Sequence, residues 1–331
     1  NTEIIIPNEF FSNELNNGLF DVFDRFNFTV IESNPYDSDI AVDPEMLGKV
    51  FEKLLPEKDK VYTPREVVTY MSRECLFAYF KKHLDGFSNE LLNSLIFNIK
   101  SLEQELSEDD RYEIKNNADK IERLLLDLKI CDPAVGSGAF PLGILHEIIN
   151  IRHFINEIIG NDISFYNLKK QTIEQCIYGV DIDTSAVEIA RLRLWLSLIV
   201  DEENLNYIQP LPNLDYKIVN GNSLIGFPFE TEVRINKKDK LIKKQKRYFS
   251  ETETEKKLKL RNEINDIVQS EYINPDLYGS IGYIVDFDFK WSFGEVFEQK
   301  NGFDIVIGNP PYLESRHKDF DKGLKEKYQL H

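Results

Sequence analysis

The chain has 331 residues, 42% of them hydrophobic, enough to bury a real core as one large domain or two ordinary ones. Its 57 Asp and Glu against 40 Lys and Arg give a formal charge of −17. That balance excludes a uniformly basic nucleic-acid-binding domain and requires any contact with a polyanion to use locally concentrated positive charge. Cys75, Cys131 and Cys176 form no Cys-x-x-Cys and no even framework. They read as reduced thiols of a cytoplasmic protein, with no metal site expected. No apolar stretch approaches the length of a membrane span, and no signal peptide is visible. The chain starts at Asn1 rather than Met, as a piece of a longer protein does.

Residues 1–60 are acidic and mostly helical in pattern. Between Pro44 and Leu55, the residues Leu47, Val50, Phe51, Leu54 and Leu55 fall at helical spacing. Val61-Tyr62-Thr63-Pro64-Arg65-Glu66 opens another helix, with Thr63 suited to the N-cap, Pro64 to the first helical position and Glu66 to the third. Residues 90–127 carry long, charged helical patterns that end in Leu124-Leu125-Leu126.

The pattern then changes. Leu128 to Cys131 reads as a short strand, followed by a glycine-bearing turn and an apolar helix. Ile177 to Val180 reads as a second strand, with a helix from Ala186 to Val200 after it. Tyr216 to Val219 and Phe303 to Ile307 read as the third and fourth strands. Strands alternating with helices predict an α/β fold with a doubly wound, mostly parallel, Rossmann-like sheet. The expected division is a helical N-terminal subdomain over 1–125 and the sheet-bearing core over 126–331. A charged helical insertion or long loop at about 230–275 interrupts the core. Within it, Arg234 to Arg247 holds eight basic residues and one acidic one, Asp239. That run suits either phosphate contact or a solvated helix face.

Four motifs carry chemistry. Asp132-Pro133-Ala134-Val135-Gly136-Ser137-Gly138-Ala139-Phe140 follows the first strand. Gly136 and Gly138 permit a tight turn and close approach of a ligand to the backbone, and the next helix offers free N–H groups. A nicotinamide fingerprint wants a third glycine where this chain has Pro141, so a dehydrogenase fits poorly and a ligand with an amino-acid end fits better. A purely structural strand-to-helix turn is the plainer alternative. Gly179-Val180-Asp181-Ile182-Asp183 ends the second strand. Asp181 is placed to accept two ribose hydroxyls, and Asp183 to cap the following helix; both could instead be caps. Asn220-Gly221-Asn222-Ser223-Leu224 follows the third strand, either as an adenine-reading edge or as a simple Asn-Gly turn.

The fourth motif is Phe303-Asp304-Ile305-Val306-Ile307-Gly308-Asn309-Pro310-Pro311-Tyr312. An apolar strand stops at a glycine, and two prolines then stiffen the chain around Asn309. An amide, a fixed carbonyl and a flat ring at one sheet edge could grip the exocyclic amino group of a planar base. A rigid turn with a surface tyrosine is the alternative.

In this order the four motifs resemble those of a DNA adenine-N6 methyltransferase of the gamma arrangement that uses S-adenosyl-L-methionine. Tyr62-Thr63-Pro64 resembles the cofactor motif that this arrangement places first. Gly221-Asn222-Ser223-Leu224, Phe293-Gly294-Glu295-Val296-Phe297, Pro44 to Leu55 and the helical lead-in resemble the methyltransferase region of type IIG restriction–modification enzymes and related phage-exclusion methyltransferases. The resemblance implies that Tyr62, Thr63 and Pro64 contact the methionine end of the cofactor, and that Asp132, Ala134, Gly136 and Gly138 line its amino-acid moiety. Asp181 and Ile182 would hold ribose and adenine, and Asn222 and Ser223 the adenine, although many relatives carry Asp at the position of Asn222. Asn309, Pro310, Pro311 and Tyr312 would hold a target adenine flipped out of double-stranded DNA. The family continues past this motif with more strands and a target-recognition domain, and its type IIG members carry a nuclease. Here 19 residues follow Tyr312, so the resemblance implies a fragment of a larger enzyme. Two rival functions share parts of the pattern. One is methylation of another planar amine or amide, in protein glutamine or ribosomal RNA; the other is a cofactor-binding scaffold in a defence complex.

Overall fold

A computed structural model describes residues 63–199, 214–227, 232–251, 253–272 and 285–310. The expected helix over Pro44 to Leu55, together with Tyr62, Pro311 and Tyr312, lies outside the described residues.

Among the described residues four helices lead to the sheet: α1 (Arg65–His83), α2 (Asn89–Phe97), α3 (Ile99–Glu105) and α4 (Glu108–Asp127). Serines start two of them. Ser88 Oγ accepts from Leu91 N at 3.2 Å, and Ser107 Oγ accepts from Asp110 N at 3.1 Å. Glu108, Asp109 and Asp110 then sit in the positive first turn of α4. α1 departs from the sequence expectation by one residue. Pro64, not Thr63, holds the N-cap position, and its carbonyl accepts from Val67 and Val68 N–H. The Thr63 hydroxyl is thereby released from capping.

The core follows as β1 (Ile130–Asp132), α5 (Ala139–Ile159), α6 (Phe165–Cys176), β2 (Ile177–Asp181), α7 (Thr184–Ile199), β3 (Ile218–Asn220), α8 (Glu232–Ser250), α9 (Thr254–Tyr272), α10 (Phe289–Ser292), α11 (Gly294–Lys300) and β4 (Ile305–Val306). The third strand begins two residues later than its apolar run suggests, because Leu214–Tyr216 winds into a 3₁₀ turn that closes with Lys217 N–H on Leu214 O.

The four described strands form one parallel sheet in the order β3-β2-β1-β4. The pairing sets Ile130 beside both Ile177 and Ile305, and Asp181 beside Asn220. Asp132, Asp181 and Asn220 therefore end their strands along one carboxyl edge, next to the Gly308 turn. The chain moves outward from β1 to β2 and β3, then returns across β1 to lay down β4. The order thus reverses between β1 and β4, and open parallel sheets hold their ligands at the carboxyl edge of such a reversal.

Strand alternation divides the apolar residues between two faces. Ile130, Ile177, Ile218 and Ile305 join the main core with Val68, Leu76 and Phe80 of α1 and Ile144 and Ile148 of α5. Cys131, Tyr178 and Val180 face the other way, against Phe287, Phe293 and Val296. α1 lies tightly on α5: a Cβ added to Gly143 would stand 2.3 Å from Val68 Cγ1. Arg73 ties the same pair, with Nε donating to Glu147 at 2.7 Å. The buried Arg152 joins α4, α5 and α6 by donating to Glu122, Leu168 O, Thr172 and Gln171. This satisfies a guanidinium that would otherwise be costly to bury.

The segment expected as an insertion or loop is a helical hairpin, α8 against α9. Lys237 pairs with Glu271 at 2.8 Å, Lys244 with Glu263, and Lys246 with Glu298 of α11. Three cations of the basic run thus meet carboxylates of neighbouring helices, while Lys240, Lys243 and Arg247 are exposed.

A candidate active site at the carboxyl edge of the sheet

The glycine loop from Asp132 to Gly138 is folded back onto β2. Val135 N–H donates to Val180 O at 2.9 Å, and Gly136 N–H donates to the Asp181 carboxylate at 2.8 Å. Gly136 and Gly138 have φ of 51° and 90°, in the left-handed region that suits glycine. Gly138 is also close to α7, where an added Cβ would meet Ala190 Cα and Cβ at 3.2 Å. From below, the buried Arg193 donates to Ser137 O at 2.8 Å and to Ser137 Oγ at 3.1 Å. α5 has Gly138 as its N-cap and no side-chain cap; in its first turn Ala139 and Phe140 carry N–H groups and Pro141 has none.

Asp181 accepts two backbone donors, Gly136 N–H on one oxygen and Asp183 N–H on the other at 2.9 Å. Each oxygen keeps a second lone pair. Asp183 caps α7 by accepting from Ser185 N–H at 2.8 Å. Ile182 between them is 68% exposed at the sheet edge. Asn220 pins this turn, its Nδ2 donating to Asp181 O and Ile182 O, both at 3.0 Å.

After β3, Gly221 takes a position that no larger residue fits, since an added Cβ would lie 2.3 Å from Phe287 Cβ. Asn222 closes a local turn, with Oδ1 accepting from Leu224 N–H at 3.0 Å, and its own N–H donates to Asp286 at 3.0 Å. Ser223 is half-buried beside Asn222. Asp288 continues the support by accepting from Phe227 N–H at 3.1 Å.

β4 brings in the last motif. Asp304 and Ile305 N–H groups donate to Lys129 O, and Ile307 N–H to Cys131 O. Asp304 also accepts Lys129 N–H at 2.8 Å, which fixes where β1 begins. Gly308 then passes directly over the glycine loop: a Cβ there would stand 2.5 Å from Asp132 Oδ1. Asn309 and Pro310 follow, both exposed. Asn309 Nδ2 donates to Thr63 Oγ1 at 3.1 Å, a contact across 246 residues of sequence. Thr63, Asp132, Gly308 and Asn309 thus meet at the reversal of the sheet, with Pro64 next to Thr63 and Ala134 bound to Asp132. Asp181, Ile182, Asn222 and Ser223 lie farther along the same edge, at the ends of β2 and β3.

Residues 175–331 match the Eco57I restriction-modification methylase family. The chain carries a restriction–modification methyltransferase region. It is 34% identical over 242 residues to a putative type II restriction enzyme and methyltransferase of Methanocaldococcus jannaschii, an alignment covering 67% of this chain and 20% of that protein. It is 28% identical over 208 residues to the Escherichia coli type II restriction enzyme and methyltransferase RM.Eco57I, covering 58% and 15% respectively. The matched segments therefore span a fifth or less of these relatives.

Among the described residues at the carboxyl edge, Asp132 is a strongly displaced carboxylic acid. Burial pushes its carboxyl up from 3.8 to about 7; the Ala134 N–H bond at 3.0 Å opposes this and the nearby Asp181 charge adds to it. Folding thus favours the protonated acid. Its contribution to stability is full below pH 3.8 and falls as pH rises to about 7. Asp132→Asn keeps an acceptor for Ala134 N–H and removes the charge. It is expected to stabilise the ligand-free protein at pH 8 by up to about 4 kcal/mol, at ~1.36 kcal/mol per pH unit, and to change little at pH 4. Thermal melts of both proteins at the two pH values check this, and equal melting temperatures at pH 8 would contradict it.

Proposed function

We propose that this region transfers a methyl group from S-adenosyl-L-methionine to N6 of an adenine flipped out of double-stranded DNA, within a cytoplasmic restriction–modification or phage-defence enzyme. The observation that supports the reading most is that Asn309 bonds to Thr63 while the preceding Gly308 packs against Asp132 at the start of the glycine loop. In this reading residues 1–125 form a helical lead-in bearing the Tyr62-Thr63-Pro64 motif, and 126–331 the transfer core. The relatives' names join restriction enzyme and methyltransferase. That supports a parent chain with a nuclease; the target-recognition domain belongs to the reading itself.

The chain's residues suit the cofactor. The uncapped start of α5 matches a carboxylate, and the buried Asp132, placed between Gly308 and the loop, matches an ammonium. Asp181 retains lone pairs for ribose hydroxyls, and the exposed Ile182 offers an apolar surface to an adenine ring. Tyr62, Thr63 and Pro64 would close over the methionine end, while Ala134, Gly136 and Gly138 expose backbone to it. With the Asn222 oxygen bound to Leu224 N–H, adenine would be read by the Asn222 amide nitrogen and by Ser223. When bound, the cofactor supplies an electrophilic methyl on a positively charged sulfur.

The N6 amine is a poor nucleophile because its lone pair is delocalised into the ring. The Asn309 side-chain oxygen and the Pro310 carbonyl would each accept one N6–H bond, turning the lone pair out of the ring plane and toward the methyl. The rings of Pro310 and Pro311 restrict the chain around both acceptors, so positioning would supply much of the rate. Tyr312 would stack on the extruded base. As the N–C bond formed, the C–S bond would break to leave a neutral thioether, and the alkylated amine, strongly acidic only then, would lose its proton to water, so no strong base is required.

Labelled-methyl assays with the full-length protein, offering DNA, RNA and protein in parallel, test the substrate class. Label in DNA is the expected result. Label in RNA or protein would replace the reading with one of its rivals.

A further inference from the structure

The cofactor proposed above carries an adenine whose exocyclic amine donates hydrogen bonds and so needs an acceptor. The segment after β3 offers fewer acceptors than its composition suggests. Asn222 Oδ1 already accepts from Leu224 N–H at 3.0 Å. A backbone N–H donates and never accepts, so this bond fixes which end of the amide lies in the turn. The Asn222 side chain keeps its N–H groups for a ligand. They suit the ring nitrogens of adenine and repel its amine.

An acceptor stands beside them, 64 residues along the chain. Asp286 Oδ1 accepts from Asn222 N–H at 3.0 Å. The sense of this bond is also fixed, because the donor is a backbone N–H. Asp286 Oδ2 bonds to none of the described residues, and the residue is exposed. Its mounting is firm. Val285 packs with Ile225, and Phe287 lies so close to Gly221 that an added Cβ would stand 2.3 Å from Phe287 Cβ. Asp288 accepts from Phe227 N–H at 3.1 Å and from Lys290 N–H at 2.9 Å. Residues 285–288 thus run along the loop from Gly221 to Phe227 and carry one free carboxylate oxygen at its rim. The turn bearing the exposed Ile182 is tied to the same strand end, with Asn220 Nδ2 donating to Ile182 O at 3.0 Å.

We infer that Asp286 is a cofactor-binding residue, its free carboxylate oxygen accepting an N6–H bond from the adenine of S-adenosyl-L-methionine. This rests on the cofactor proposed above. A ring lying on Ile182 then meets donors from Asn222 and a charged acceptor from Asp286. The Ser223 hydroxyl is the neutral rival for the same amine, and the test separates the two.

Calorimetric titration of the full-length protein with S-adenosyl-L-homocysteine and with S-inosyl-L-homocysteine provides that test. The inosyl compound replaces the amine by a carbonyl oxygen. Wild type is expected to prefer the adenosyl compound by at least about tenfold, the low end for a hydrogen bond to a charged group. Asp286→Ala should shrink that preference by about tenfold through weaker adenosyl binding, with inosyl binding within about twofold of wild type. Asp286→Asn keeps an oxygen for Asn222 N–H and offers the ligand an N–H group instead of the free oxygen. It should weaken adenosyl binding and strengthen inosyl binding. Equal losses for both compounds in Asp286→Ala would reduce Asp286 to a support of the loop and overturn the inference. So would no preference in wild type, an unchanged preference in Asp286→Asn, or a preference lost in Ser223→Ala and kept in the Asp286 variants. Should Asp286→Ala fail to fold, Asp286→Asn decides. If wild type binds neither compound, the cofactor reading itself fails and this inference with it; every other outcome is read in a protein that binds.

Discussion

Asn309→Ala is expected to lower single-turnover methyl transfer at least about a thousandfold, while cofactor affinity stays within about threefold of wild type. The size follows from what is removed. A preorganised group aimed at the reacting centre is commonly worth two to three powers of ten, and here it is also one of the two acceptors that turn the lone pair out of the ring plane. The selectivity follows from position. Asn309 is exposed at the end of β4, and among the described residues its side chain bonds to Thr63. The groups assigned to the cofactor are held by other contacts: Gly136 by Asp181, Ser137 by Arg193, and Asp132 by Ala134. Rapid-quench transfer of a labelled methyl, with calorimetric titration of the cofactor, measures both quantities. A variant that still turns over at a tenth of the wild-type rate would remove Asn309 from the chemistry.

The second large effect is expected at Gly308. An added methyl would fall 2.5 Å from Asp132 Oδ1, 3.2 Å from its carbon and 3.5 Å from Pro133 Cδ. Neither neighbour can yield cheaply. Asp132 is 2% exposed and held by Ala134 N–H, and proline is a ring. The end of β4 must shift instead, carrying Asn309 and Pro310 with it. A displacement near 1 Å at a reacting geometry costs about a hundredfold, so Gly308→Ala should lose about that factor in the transfer step. Displacing Asp132 should weaken cofactor binding as well, which distinguishes this variant from Asn309→Ala. Overpacking a tight site also costs stability, roughly 1–3 kcal/mol. Wild-type kinetics in a folded Gly308→Ala protein would mean that the close approach has no role in catalysis.

The four strands are legible in the sequence because each is a short apolar run ended by Asp, Asn or Gly, and such runs at the centre of a parallel sheet are buried on both faces. The order β3-β2-β1-β4 is less legible, since nothing local in Phe303 to Ile307 tells that it returns beside β1. Asp304 is the one hint, an acid placed to accept the N–H of Lys129 at the start of β1. The glycine loop and the Asn-Pro-Pro-Tyr motif stand out because their backbone demands restrict residue type. The supports under them do not stand out. Arg193 reads as an ordinary charge on a helix, yet it is buried and donates to Ser137. Asp286 and Asp288 read as loop acids, yet each accepts a backbone N–H of the segment after β3. Thr63 reads as a helix cap by composition alone. Tertiary contact with Asn309, made possible when Pro64 takes the cap position, overrides that local preference.

The eight-to-one excess of basic residues over Arg234 to Arg247 also means less in the structure than in the sequence. Lys237, Lys244 and Lys246 are matched to Glu271, Glu263 and Glu298, so three of the eight basic side chains are paired within the fold. Surface pairs of this kind add little stability, about 0–1 kcal/mol each. They do lower the charge available to a phosphate backbone.

The most direct measurement is nucleoside mass spectrometry of DNA incubated with the full-length protein and isotopically labelled S-adenosyl-L-methionine. The account predicts the labelled methyl on adenine N6, present with wild type and absent with Asn309→Ala. Label on cytosine, label confined to RNA or protein, or tight cofactor binding with no transfer to any acceptor would contradict it.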